Sequence, residues 1–358
     1  MKKNIISLHG SYFSNNYGDI LLINLFAKWI KEYNAEFKIN LPKANNNVIG
    51  ELPTRTNGLF NLIKSNALIF CGGGYFGEQP QNPQRWALRN FFRHAIVAFI
   101  AKIFNIPYVI IGVEFGPISS NWFRKVCIAI AKKAKYVVVR NQESYDFLKA
   151  NGVIKNVLIS ADAVLSLSDI VFPLQTYNIK HKKILIHFNG KSKLPENYEY
   201  VAKTIISSVR KCFEDYTLVF LSDSNGNYYD NDICKKIFAD LNRNNIPYEI
   251  KKYEGYKNLI DEINSSYCIF TSKLHVGITA AALNKKVFSL WFHNKTPRLH
   301  AQIGNSSYCV AFDLVDKNLD SKIQAFLKSP EYILPLKAKE SALLNKEILY
   351  KFLSTEID

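Results

Sequence analysis

The sequence predicts an α/β protein built from two doubly wound parallel sheets that face each other across a cleft, followed by C-terminal helices. Three observations lead there. Short β-branched and aromatic runs alternate with longer segments of helical period along nearly the whole chain, as parallel strands and crossover helices do. The 358 residues are enough for about two domains. Near the middle, residues 166–183 are polar, weakly periodic and contain Pro173, which reads as a linker.

In the first half, NIISLHG reads as a strand and DILLINLFAKWIKEY as the helix after it. ALIFCGGG, YVIIGVEFG, YVVVRN and NVLISAD continue the strand series, with helices NWFRKVCIAIAKKA and QESYDFLKANG between them. The second of these ends in Asn-Gly, a common helix stop. After the linker come strands KILIHFNG, YTLVFLSDS, PYEIKKY, YCIFTS and KVFSLWF, with helices such as YVAKTIISSVRKCF and NLIDEINSS. These divide the chain into residues 1–172, residues 173–325 and a helical tail over 326–358.

Composition narrows the function classes. Apolar residues make up 48% and charged residues 21%, so each half can bury a core and a disordered chain is excluded. The formal charge of +16 favours anionic partners. No zinc-ligand spacing, basic zipper or RNP-like strand supports nucleic-acid binding. The six cysteines are widely spaced, with no CxxC pair, which reads as buried free thiols in a reducing compartment and no metal site. MKKNIISLHG reads as a first strand and not as a signal peptide.

RNFFRHAIVAFIAKIFNIPYVIIGVEFG is the longest apolar region, but Arg93, Lys102, Asn105 and Pro107 break it below the ~20 residues that span a bilayer. It reads first as a buried helix followed by a buried strand. The alternative is a helix lying at a membrane surface, with Arg85, Arg89 and Arg93 facing lipid phosphates.

In open parallel sheets ligands bind beyond the C-terminal strand ends, so the residues standing there are the candidates. After the first strand, Asn16, Gly18 and Asp19 form a loop and helix start, with Asp19 as a cap. Gly72, Gly73 and Gly74 follow another strand, where glycine permits close backbone approach. The stretch lacks the GK[ST] of a phosphate loop and the spacing of a dinucleotide fingerprint. Glu114 ends the next strand. Arg140 stands directly after Val137–Val139, and there it either grips a ligand carboxylate or phosphate or pairs with Asp162 or Glu143. FTSKLHVGITAAAL reads as a strand end and helix start capped by Ser272, with Lys273, Leu274 and His275 in the first turn. Free amides, the helix dipole and Lys273 make an anion site, and an imidazole there can exchange a proton near neutrality. The loop after the last strand adds His293, Lys295, Arg298 and His300 as a cationic surface. No nucleophile elbow or paired Cys and His supports covalent catalysis.

Taken in order, NNYGD, CGGGYFG, GVEFGP, VVVRNQESYDFLKANG, SADAVLSL and TSKLHVGITAAALNKKVFSLWFHNK resemble the polysaccharide pyruvyltransferase family. The resemblance implies a GT-B-like fold of two Rossmann-like halves, the first on the acceptor side and the second on the donor side. It implies transfer of a pyruvyl group from phosphoenolpyruvate to two hydroxyls of a bacterial surface saccharide, giving a cyclic ketal. His275 would be the acid/base, Arg140 a second catalytic residue and Lys295 a substrate-binding cation. Lys273 stands where many members have arginine, a point charge in place of a fork. Phosphoenolpyruvate would be a substrate, and no cofactor is implied. The expected location is the cytoplasm, with a lipid-linked acceptor and peripheral contact at the inner membrane face as further partner expectations. The alternative reading is a GT-B glycosyltransferase using a nucleotide sugar.

Overall fold

The computed structural model describes residues 4–13, 16–44, 50–54, 58–77, 82–169, 182–188, 197–225, 229–292 and 294–357. The chain forms two compact units, Met1–Ser166 with Lys339–Asp358, and Leu167–Ala338. Each contains one six-stranded parallel sheet with helices around it, so the doubly wound α/β pattern predicted from the sequence is present twice.

The first unit begins with β1 (Ile5–His9), α1 (Tyr17–Tyr33), β2 (Lys38–Asn40), α2 (Gly58–Ile63) and β3 (Ala67–Phe76). A long helical segment follows: α3 (Pro83–Asn90), a wider π-type turn over Phe91–Ala95, and α4 (Ile96–Ile103). Next come β4 (Tyr108–Phe115), α5 (Asn121–Lys133), β5 (Val137–Val139), α6 (Gln142–Ala150) and β6 (Val157–Ile159). The strand order is β2-β1-β3-β4-β5-β6. Strands β3 and β4 are sealed on both faces, as crossover helices require. Segment 83–103 departs from the buried helix read first in the sequence: one side enters the core through Trp86, Ala95 and Ala98, while Leu88, Phe92 and Ile103 are exposed.

The second unit contains β7 (Lys183–His187), α7 (Tyr198–Cys212), β8 (Thr217–Leu221), α8 (Asp232–Arg243), β9 (Tyr248–Lys251), α9 (Tyr256–Asn264) and β10 (Cys268–Thr271). It continues with α10 (Leu274–Ala282), β11 (Lys286–Trp291), α11 (Lys295–Gln302), β12 (Cys309–Ala311) and α12 (Leu319–Lys328). Its strand order is β12-β11-β10-β7-β8-β9. The short edge strands β2 and β12, three residues each, carry too little pattern to be read from sequence.

The end of the chain differs from the separate tail read over residues 326–358. Helix α12 packs with α7 in the second unit, whereas α13 (Leu336–Glu356) returns and joins the first unit from Lys339 onward. The sequence-read boundary at 172/173 lies outside the described residues. Asn345, fully buried, fixes the returning helix. Its Oδ1 accepts from Ser160 Oγ at 3.0 Å, and its Nδ2 donates to Ala161 O at 3.1 Å. Leu349, Phe352 and Leu353 bury the same face.

Replacing Asn345 by Ala leaves Ser160 and Ala161 without these buried partners, and is expected to cost about 2 kcal/mol. Chemical denaturation measures this. A loss below about 0.5 kcal/mol would show that apolar contact alone holds the helix.

Candidate active site

In the second unit β7, β8 and β9 extend to one side of the sheet, while β10 lies on the other side of β7. The C-terminal ends of β7 and β10 therefore flank a topological switch point, where open sheets leave a crevice for ligands. His187 ends β7 and Thr271 ends β10, and the two are paired in register. His187 Nδ1 lies 3.1 Å from Thr271 Oγ1, which also accepts from Lys273 N at 3.0 Å.

Asp223, just beyond β8, has no exposed surface. Its carboxylate lies 3.4 Å from His187 Nε2 and 2.9 Å from Lys273 Nζ. Burial alone would raise the Asp223 carboxyl, but His187 and Lys273 outweigh it and hold the group well below the usual carboxylate range. One buried anion thus links the ends of β7, β8 and β10.

Helix α10 starts at Leu274 with Lys273 as its N-cap, one residue later than the Ser272 cap read from the sequence. Leu274 and His275 are its first two positions. Lysine has no acceptor, so the capping side chain satisfies none of the first-turn amides. His275 is 8% exposed, and its carbonyl accepts from Thr279 Oγ1 at 2.8 Å. Lys295 opens α11 at an exposed position.

His300 departs from the cationic surface read for its loop. It is fully buried, between Ser289 Oγ at 2.8 Å and Asn305 O at 2.9 Å, and burial lowers its pKa. His293 lies outside the described residues.

The first unit repeats the geometry, with its switch point between β1 and β3. Asn16, and not Asp19, caps α1, accepting from Gly18 N at 3.3 Å. Asp19 stands in the first turn and is nearly buried. Gly72 and Gly73 take φ of +42° and +95°, values that disfavour other residues. A Cβ on Gly72 would lie 2.8 Å from Leu22 Cδ1, and one on Gly73 would lie 3.3 Å from Asp19 Oδ1. The glycine run, ending in the partly exposed Gly74, therefore seats β3 on α1 and brings the backbone beside the Asp19 carboxylate.

Beyond it, three adjacent strand ends converge on Arg140. Its Nη2 lies 3.0 Å from Glu114 Oε2, and its Nη1 lies 2.6 Å from Asp162 Oδ2. All three side chains are buried. Burial would lower the guanidinium pKa, but Asp162 and Glu114 raise it above its ordinary value. The pairing with Asp162 weighed in the sequence is present, with Glu114 as a second carboxylate partner. The sequence-read candidates thus fall into two groups. Asn16, Gly18, Asp19, Gly72–Gly74, Glu114 and Arg140 belong to the first unit; Ser272, Lys273, Leu274, His275 and Lys295 belong to the second.

Sequence reading missed His187 and Asp223. His187 is the last residue of β7 and Asp223 lies two residues beyond β8, so the strand-end rule would have found them. It also missed a buried chain in the first unit. His9 Nδ1 lies 2.8 Å from Tyr12 OH, and His9 Nε2 lies 2.9 Å from His94 Nδ1. Burial, with a smaller contribution from Lys43, pushes His9 down to about 3. No group of three His, Cys, Asp or Glu side chains among the described residues could hold a metal ion.

Arg140→Ala would leave two buried carboxylates without their cation, and is expected to destabilise the first unit by about 3–5 kcal/mol in chemical denaturation. A loss under about 1 kcal/mol would show that water reaches the pair. Asp223 contributes stability that is present above the unfolded aspartate pKa, ~4, and is lost as pH falls toward its lower folded value. The stability gap between wild type and Asp223→Asn is therefore expected to be full at neutral pH and to shrink below about pH 4. A gap that does not change with pH would show that Asp223 carries no charge.

The comparisons with known proteins agree with this architecture. UDP-GlcNAc 2-epimerase from Methanocaldococcus jannaschii superposes with a TM-score of 0.64 at 13% identity, covering 97% of this chain and 99% of that one. The Neisseria meningitidis UDP-GlcNAc 2-epimerase, solved bound to UDP-GlcNAc, gives 0.63 at 11% identity, covering 98% and 99%. At such identities the likeness is one of fold, the GT-B-like arrangement of two parallel six-stranded sheets. No curated protein matches the sequence. The sequence profile described as polysaccharide pyruvyl transferase matches residues 16–294, from the cap of α1 to the residue before α11. Because that match spans well over half of the 358 residues, the chain belongs to the polysaccharide pyruvyl transferase family.

Proposed function

We propose that the protein transfers the pyruvyl group of phosphoenolpyruvate to two hydroxyls of a saccharide, forming a cyclic ketal and releasing phosphate. The observation that carries this reading is His275 in the first turn of α10, at the switch-point edge and next to the Lys273–Asp223 pair, within the stretch that the family matches.

The His275 imidazole donates a proton to the donor methylene, and C2 gains oxocarbenium character. The first hydroxyl attacks C2 and returns its proton to His275. The C2–O bond to phosphate then breaks as the second hydroxyl attacks, and that hydroxyl's proton leaves with the phosphate. The methylene gains one proton, the two hydroxyls lose two, and the phosphate takes one, so a single acid/base that recycles its proton is enough.

The first-turn amides of α10 and the Lys273 ammonium, oriented by Asp223, would stabilise the departing phosphate. Lys295 would add a second cation. Asn16, Asp19 and Gly72–Gly74 are the first unit's candidates for binding a saccharide. Arg140, held by two carboxylates, becomes a positioning residue for that edge. A second reading, an enzyme acting on a nucleotide sugar, draws on one observation: a protein of the same fold was solved with UDP-GlcNAc bound.

Purified protein given phosphoenolpyruvate and a panel of bacterial saccharides should release phosphate only when an acceptor is present. His275→Ala should lower that turnover by ~10²–10⁴-fold while circular dichroism stays unchanged. An unaltered rate in this variant would remove His275 from the chemistry. Acceptor-dependent release of UDP from a nucleotide sugar would favour the second reading.

A further inference from the structure

The helical segment from Pro83 to Ile103 turns an apolar stripe outward. Leu88, Phe92, Phe99 and Ile103 are 54%, 52%, 37% and 72% exposed. Within α4, Phe99 and Ile103 are four residues apart and share a face, and Leu88 and Phe92 add exposed apolar surface before and within the π-type turn. The stripe continues onto α5. There Trp122, 41% exposed, has its ring 5.8 Å from that of Phe91, which in turn lies 6.0 Å from Phe99. Side chains of this size seldom stay in contiguous contact with water unless something covers them.

The charges around the stripe all have one sign. Arg85, Arg89, Arg93 and Lys102 lie on the same helical segment, and Arg124 and Lys125 lie in the first half of α5. Neither residues 83–103 nor residues 121–133 contain an Asp or Glu. Arg93 lies close enough to Arg89 for that neighbour to lower its pKa, after the larger effect of partial burial. An aromatic and aliphatic ridge edged by cations, on segments that carry no carboxylate, matches the boundary between headgroups and acyl chains in an anionic bilayer. It does not match a second copy of this chain, since two such faces would bring like charges together on a protein of net charge +16. No helix among the described residues is long and apolar enough to cross a membrane, so the contact is with a surface.

We propose that this face docks on anionic lipid. Leu88, Phe92, Phe99, Ile103 and Trp122 enter the outer acyl region, and Arg85, Arg89 and Arg93 lie on the lipid phosphates. The docking is independent of the reaction assigned above.

The test uses the full chain with vesicles of phosphatidylcholine containing phosphatidylglycerol, against phosphatidylcholine alone, in a flotation assay. At low salt the protein should float with the anionic vesicles only, and added sodium chloride should release it. Phe92→Ser with Phe99→Ser should weaken partitioning by roughly tenfold or more. Arg85→Gln and Arg89→Gln should each weaken it by about fivefold. Arg85 and Arg89 are exposed, so thermal unfolding of the arginine variants should not move and their lost binding is not lost folding. Phe99 also packs on Phe91, so the double serine variant is compared at a temperature where its circular dichroism matches the wild type. Trp122→Phe should abolish most of the blue shift in tryptophan emission on mixing. Absence of binding to anionic vesicles at low salt would overturn the proposal. So would undiminished binding by the double serine variant, which would assign adhesion to net charge alone. A wild-type dimer that dissociates in that variant, without vesicle binding, would assign the face to a second copy.

Discussion

The second unit is organised around one buried carboxylate. Asp223 sits with no exposed surface between His187 and Lys273, and an isolated ion at that depth would cost several kcal/mol. Its partners stand at the ends of β7 and just beyond β10, the two strands on either side of the switch point. Keeping Asp223 ionised therefore requires those strand ends to stay in register. The start of α10 follows from the same requirement, because Lys273 is both the ion-pair partner and the residue that caps the helix carrying His275.

The first unit meets the same demand with the opposite charge at the centre. There an arginine lies between two carboxylates, drawn from β4, the end of β5 and the segment after β6. Each unit thus places a buried ionic cluster at the C-terminal edge of its sheet. Side chains held in this way lose little rotamer freedom when a ligand arrives, which is how a polar edge is preorganised for binding.

The fold was legible because it rests on periodicity. Runs such as ALIFC and YVVV cannot satisfy the helical spacing that DILLINLFAKWIKEY shows, and the alternation between the two types persists over both halves. The candidate site was legible where a single residue breaks an apolar strand, as Arg140 does directly after Val139. Partnership was legible only for Arg140 and Asp162. That Glu114 would share Arg140 with Asp162, or that Asp223 would reach Lys273, depends on which strands lie side by side, and strand order leaves no local mark. Helix 83–103 shows the same limit: its composition is apolar enough to suggest burial, yet which face meets the core is decided by α5 and the sheet. His300 failed for a related reason, because a histidine in a basic loop looks solvated until its two buried hydrogen bonds are seen.

The return of α13 makes the second unit an insertion within the first. The segment containing Asn345 closes over Ser160 and Ala161, but roughly the whole second unit is synthesised between those two points. During translation the first sheet must therefore wait, with the surface later covered by Leu349 and Phe352 open to water, while the second unit emerges and can complete its own core. A nascent chain of this kind completes its first-begun half last, and ribosomal pausing late in the message would prolong its exposure to chaperones and proteases.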